Sequence, residues 1–189
     1  MINKMQKIFF SFLWVIVFLT LFSIQSDAYA KSSDATTSAI VKYDLAYPGM
    51  LPGSILYKLK VLRDKISASL ISDPQKKIEF YLLQTDKGIL ATAMLIDKKK
   101  FELAKETALK SENNFTLLTY QLGNLPGKIN NSLFTKLKKA SLKHQEVLKS
   151  LLSRVPQKDR KTFQTVIDFS KRNLKTVEDF QKSQDLPQK

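Results

Sequence analysis

The sequence predicts an all-α fold, an antiparallel helical bundle of about five helices after an N-terminal signal peptide. Three observations carry that expectation. From Ile55 onward, apolar residues recur at steps of three and four, the spacing of one helix face. The alternation that marks a strand is confined to Val41, Tyr43 and Leu45. The breaks at Asp73-Pro74, Gly123 to Gly127 and Val155-Pro156 divide the remainder into segments of helical length.

At the N-terminus, Lys4 and Lys7 precede an apolar run from Ile8 to Ile24, and Ala28-Tyr29-Ala30 has the small-x-small pattern of a cleavage site. Residues 1–30 therefore read as a secretory signal peptide. The run is also near the length that spans a bilayer, so an uncleaved N-terminal anchor is the alternative. Residues 31–46 begin small and polar and read as a flexible tether. Its end, Val41 to Leu45, is expected as a short extended arm on the helices.

Pro48-Gly49 and Pro52-Gly53 are turn pairs, proline presetting φ and glycine accepting positive φ. Ser54 then stands at the N-cap of a first helix whose stripe, Ile55, Leu59, Leu62, Ile66 and Leu70, is expected to face the core. Asp73 caps a second helix, with Pro74 at its first position, running to about Asp97. Its face is Ile78, Leu82, Thr85, Ile89, Thr92 and Ile96, and Gly88 in its middle points to close approach of a neighbouring backbone. Phe101, Ala104, Ala108, Ser111, Phe115, Leu118 and Leu122 form a third stripe out of phase with the second, which places a turn near Lys98 although no Gly or Pro is there.

The GNLPG segment, Gly123 to Gly127, offers a C-cap glycine followed by proline. A fourth helix is expected from Asn130 or Asn131 to about Arg154, with Leu133, Leu137, Ala140, His144, Val147 and Leu151 facing in. A fifth is expected from about Gln157 to Lys182 through Phe163, Val166, Ile167, Ser170, Leu174 and Val177, before a frayed tail over 183–189.

Tyr47 to Ile66, YPGMLPGSILYKLKVLRDKI, resembles the hallmark of a bacterial extracytoplasmic domain-of-unknown-function family, number 5667. The family pattern reads roughly L-P-x-x-P-L-Y-x-x-K and precedes a long helical segment. Leu51, Pro52, Leu56, Tyr57 and Lys60 (or Lys58) match, while Ile55 stands where the pattern has proline. The resemblance covers about Tyr47 to Leu122. It implies an extracytoplasmic helical domain and brings no catalytic residue with it. On this reading, residues 47–124 are a three-helix family core and 125–182 a basic helical hairpin.

The chain has no cysteine, which excludes disulfides, thiolate nucleophiles, thiolate metal sites and a lipidated cysteine anchor. Beyond residue 30 it carries 29 Lys+Arg against 16 Asp+Glu, and residues 128–189 hold 15 of the former against 6 of the latter. Such a surface favours anionic partners, here an unassigned protein or an anionic envelope polymer or membrane surface. Secretion disfavours nucleic acid, and the oligomeric state is left open. Lys128, Lys136, Lys139 and Lys143 can share one side opposite the apolar stripe of the fourth helix, and they are the candidate anion-binding residues. A solubilising coat is the competing reading.

Signals for catalysis are weak. Gly123-x-x-x-Gly127-Lys128 is one residue short of a phosphate-binding loop, has Ile129 where Ser or Thr is needed, and follows no strand. His144 is the single histidine, on an apolar stripe, so a core or boundary residue fits it better than a metal ligand or pH sensor. Glu102, Glu106 and Asp168 fit a solvated helix face. No cofactor is implied. The sequence reads as a non-enzymatic extracytoplasmic interaction module of the cell envelope. The alternative is a small basic envelope chaperone or stress sensor, to which Leu118-Thr119-Tyr120-Gln121 is a near miss in motif.

Overall fold

Local capping chemistry sets three of the five helix starts in the computed structural model, which describes residues 41–126 and 129–185. Gly49 and Gly53 take φ of 66° and 109° in the two Pro-Gly turns. The Ser54 hydroxyl then accepts from the Tyr57 amide at 3.1 Å and opens α1, Ile55–Leu70. Asp73 accepts from the amides of Gln75 and Lys76, at 2.8 and 3.1 Å, and opens α2, Pro74–Asp97. Asn130 accepts from the Ser132 amide at 2.8 Å ahead of α4, Asn131–Leu151. These side chains satisfy amides that a helix start leaves unbonded.

The turn between α2 and α3, Phe101–Leu122, contains no glycine. Lys99 adopts φ 56°, and the Lys100 amide donates back to the Leu95 carbonyl at 2.9 Å. This is the six-to-one bond that closes a helix through a left-handed residue. Gly123 caps α3 yet sits in the right-handed region at φ −67°, so that turn does not draw on glycine's conformational freedom. The fifth helix, α5, runs Gln157–Asp185. Among the described residues there are five helices and no strand, an antiparallel helical bundle.

Helices α2 to α5 build the core in two apolar clusters. One gathers Ile89, Leu95, Ala104, Ala108, Leu148, Leu151, Phe163 and Val166. The other gathers Ile78, Leu82, Phe115, Leu118, Phe134, Leu137, Ala140 and Val177. The C-terminal pair, α4 and α5, thus shares one core with α2 and α3. The α2–α3 seam is tight because its residues are small. A Cβ built on Gly88 would lie 1.8 Å from Ser111 Oγ and 2.9 Å from Ser111 Cβ. The arm from Val41 is extended and unpaired as a strand, with Tyr43 and Leu45 packed on the two clusters. The expected signal peptide over 1–30, residues 31–40 of the tether expected over 31–46, Gly127, Lys128 and residues 186–189 lie outside the described residues.

The first helix departs from the expectation. None of its residues is buried, and Ile55, Leu59, Leu62, Ile66 and Leu70 are 79, 60, 55, 51 and 75% exposed. Its opposite face, Tyr57, Lys60, Val61, Asp64, Ser67 and Ala68, is the half-buried one. The reason lies underneath: Gln84, Lys87, Lys110 and Asn114 line the surface of α2 and α3 that meets this part of the chain. A polar surface offers no groove to an isoleucine-leucine stripe, so the stripe turns to solvent.

Candidate functional site

Helix α1 carries its apolar stripe within about 80° of arc at the helical 100° per residue and over about 22 Å of axis. Leu56 adds a further side chain at 60% exposure. Lys58 and Lys65 fall on one flank of the stripe and Arg63 on the other, where it is bonded to Asp64 at 2.6 Å. Exposed apolar side chains with basic residues along their edges form a face that suits the boundary between lipid and water.

Beneath α1 lies a small cavity of about 70 Å³. Lys60, Lys87 and Lys110 line it with Gln84, Thr107 and Asn114, and no carboxylate does. Lys60 Nζ donates to the Pro48 carbonyl at 2.8 Å, which ties α1 to the turn before it. Burial pushes the Lys60 ammonium below the usual lysine range, against the pull of Asp64 and with the push of Lys87. Lys110 pairs at 3.2 Å with Glu106, both largely exposed.

The lysines singled out on the fourth helix are only partly brought together. Lys136 and Lys139 are exposed on α4. Lys143 is half-buried and bonded to Glu146 at 2.7 Å, whose other oxygen accepts from the Val41 amide at 3.0 Å. Its charge is therefore already matched inside the fold, and although burial pushes the Glu146 carboxyl up, the bonds from Lys143 and the Val41 amide and the Lys143 charge together hold it below its ordinary range. Lys128 lies outside the described residues.

Between the two apolar clusters all four bundle helices place polar side chains at the same level. Thr85 and Asp86 come from α2, Ser111 and Glu112 from α3, Ser141 and His144 from α4, and Ser170 and Asn173 from α5. His144 Nε2 lies 2.7 Å from Asp86 Oδ1, and Tyr43 donates to Asp86 Oδ2 at 2.7 Å. On the other ring nitrogen, His144 Nδ1 is 3.7 Å from Glu112 Oε1, and neither atom has a hydrogen-bond partner. Asn173 donates to Glu112 Oε2 at 3.2 Å. Burial raises the Glu112 carboxyl above its ordinary range, against the effects of His144 and of the bond from Asn173. The Tyr43 hydroxyl is likewise raised, first by burial and then by Asp86.

This layer confirms His144 as a core residue. Its partners come from other helices, and no local spacing in the sequence announces them. His144 and Glu112 have side chains 0 and 1% exposed, so the layer leaves no access for a substrate. Among the described residues no group of three or more His, Asp or Glu is arranged to hold a metal ion. No helix there is long and apolar enough to cross a membrane.

Residues 49–158 match the family described as Domain of unknown function (DUF5667), which covers more than half of the chain. The chain belongs to that family. It matches no curated protein and no solved structure.

Proposed function

We propose that this member of the DUF5667 family is a non-enzymatic interaction module of the bacterial cell envelope that docks on an anionic membrane surface through α1. The exposed stripe of Ile55, Leu59, Leu62, Ile66 and Leu70, with Lys58 and Lys65 along one edge, carries the reading. Full transfer of one such side chain out of water is worth about 1.5–3 kcal/mol. The stripe is partly shielded already, so several of its residues must act together. Charge complementarity selects the occupant: the chain is +14 overall, and each basic residue near an anionic surface adds about 1 kcal/mol. Lys136 and Lys139 on α4 add to the long-range attraction rather than forming a closed anion site.

Co-sedimentation with phosphatidylglycerol vesicles tests this, using the chain from Lys31 onward so that the apolar leader contributes nothing. Binding is expected at low salt, falling steeply above the ionic strength at which charges are screened within about 8 Å. Leu62→Asp with Ile66→Asp should weaken it by more than about tenfold, since one buried apolar side chain alone is worth that much. The pair Lys136→Glu and Lys139→Glu should weaken it less. Binding indifferent to the α1 changes but abolished by the α4 changes would move the docking face to the C-terminal pair.

A further inference from the structure

The cavity under α1 is lined by three lysines, by the amides of Gln84 and Asn114 and by apolar Met50 and Ala91, without a carboxylate. Cations crowd together at a cost unless something matches them, and here the protein offers Lys60 the Tyr57 ring at 5.6 Å and Asp64, which is not part of the lining. Lys60 spends one proton on the Pro48 carbonyl at 2.8 Å and keeps two. Lys87 is half-buried on α2, and its charge opposes that of Lys60. Lys110 has only its exposed partner Glu106. Gln84 and Asn114 add amide groups at the wall, while the Thr107 and Ser111 hydroxyls donate to the Leu103 and Thr107 carbonyls at 2.6 and 2.7 Å. The space, about 70 Å³, exceeds the roughly 10–15 Å³ that a single water needs. It admits a small oxyanion with its hydration stripped.

We propose that this cavity is a binding site for a phosphate group, held by Lys60, Lys87 and Lys110 with Gln84 and Asn114. A multiply charged phosphate answers three ammonium groups better than a single carboxylate does, and lysine binds phosphate as a point charge. The neutral donors take the remaining oxygens. Because Lys60 sits on α1, and Lys87 and Lys110 on α2 and α3, the bound anion would tie the first helix to the bundle. The site goes beyond the membrane docking proposed above and stands without it.

Lysine labelling of the full chain with an amine-reactive reagent, read residue by residue by mass spectrometry, tests the site. Inorganic phosphate should protect Lys60 and Lys87 saturably, leave Lys136 and Lys139 labelled, and have no counterpart in chloride of equal ionic strength. Lys87→Met should weaken the protection of Lys60 by about tenfold, the loss of one charge-assisted contact. Leu62→Asp, on the outer face of α1, should leave phosphate protection intact, which separates this site from the docking stripe. Vesicles containing phosphatidic acid form the second arm. Protection at a lower phosphate concentration than with the free ion identifies a lipid headgroup as the source, and no gain from vesicles identifies the free anion. Uniform protection of all lysines, an equal effect of chloride, or unchanged protection in Lys87→Met would each overturn the proposal.

Discussion

Glu112 is the residue at which a single proton matters most. It faces His144 from α4, with Asp86 of α2 beyond the ring and the neutral Asn173 and Ser170 of α5 beside it. Its folded carboxyl is raised by burial, whereas the unfolded carboxyl titrates near about 4.3. Below that pH both states hold the proton and Glu112 leaves stability unaffected. As pH rises the unfolded chain releases its proton first, the folded state holds more, and stability falls until the folded group also ionises. Glu112→Gln keeps the shape and removes the titration. Urea unfolding should therefore show this variant gaining on the wild type as pH rises above about 4.3, where the unfolded carboxyl ionises first. A constant difference across that range would mean that Glu112 titrates normally.

Gly88 gives the second test at this scale. Alanine improves helix propensity by about 1 kcal/mol, yet its Cβ would meet Ser111 Oγ at 1.8 Å and Ser111 Cβ at 2.9 Å. Turning the hydroxyl relieves only the first contact, and overpacking of this kind costs about 1–3 kcal/mol. Gly88→Ala should be net destabilising in urea, and Ser111→Gly should recover much of the loss in the double variant. The small-residue seam was legible from Gly88, Ala104, Ala108 and Ser111. The Asp86–His144–Glu112 layer was not, because each member comes from a different helix.

At the scale of the helix, sequence pattern and structure agree on boundaries and part company over one face. Ser54, Asp73 and Asn130 cap where side-chain chemistry places them, and the phase change between Ile96 and Phe101 marks the turn that Lys99 makes at φ 56°. Helical spacing shows that α1 has an apolar face. It says nothing about what that face meets, and the polar groups of α2 and α3 beneath it are scattered through the sequence. The consequence is measurable. Leu59→Ala and Leu62→Ala should each change stability by no more than about 0.5 kcal/mol, as exposed positions do. Leu118→Ala, at 0% exposure, should cost about 2–5 kcal/mol. Comparable losses at Leu59 and Leu118 would place the α1 stripe inside the fold in solution.

For the molecule as a whole, the core is built by α2 to α5, and among the described residues the apolar side of α1 is left exposed. Net positive charge brings such a molecule towards anionic surfaces, and the stripe gives it a way to stay. The charge excess was legible in the sequence, and so was its concentration after residue 127. The engagement of Lys143 with Glu146 was not, since half-burial and the bond from the arm at Val41 depend on tertiary packing. The absence of cysteine makes the central claim directly measurable, because one introduced cysteine is a unique label. A nitroxide at Leu62→Cys in the chain from Lys31 onward, compared with one at Leu142→Cys on α4, reports the depth of each position by its collision rates with oxygen and with a water-soluble relaxant. On anionic vesicles the Leu62 label should enter the apolar boundary while the Leu142 label stays aqueous. A Leu62 label that remains aqueous on vesicle-bound protein, or is immobilised without vesicles as protein concentration rises, would contradict docking through α1.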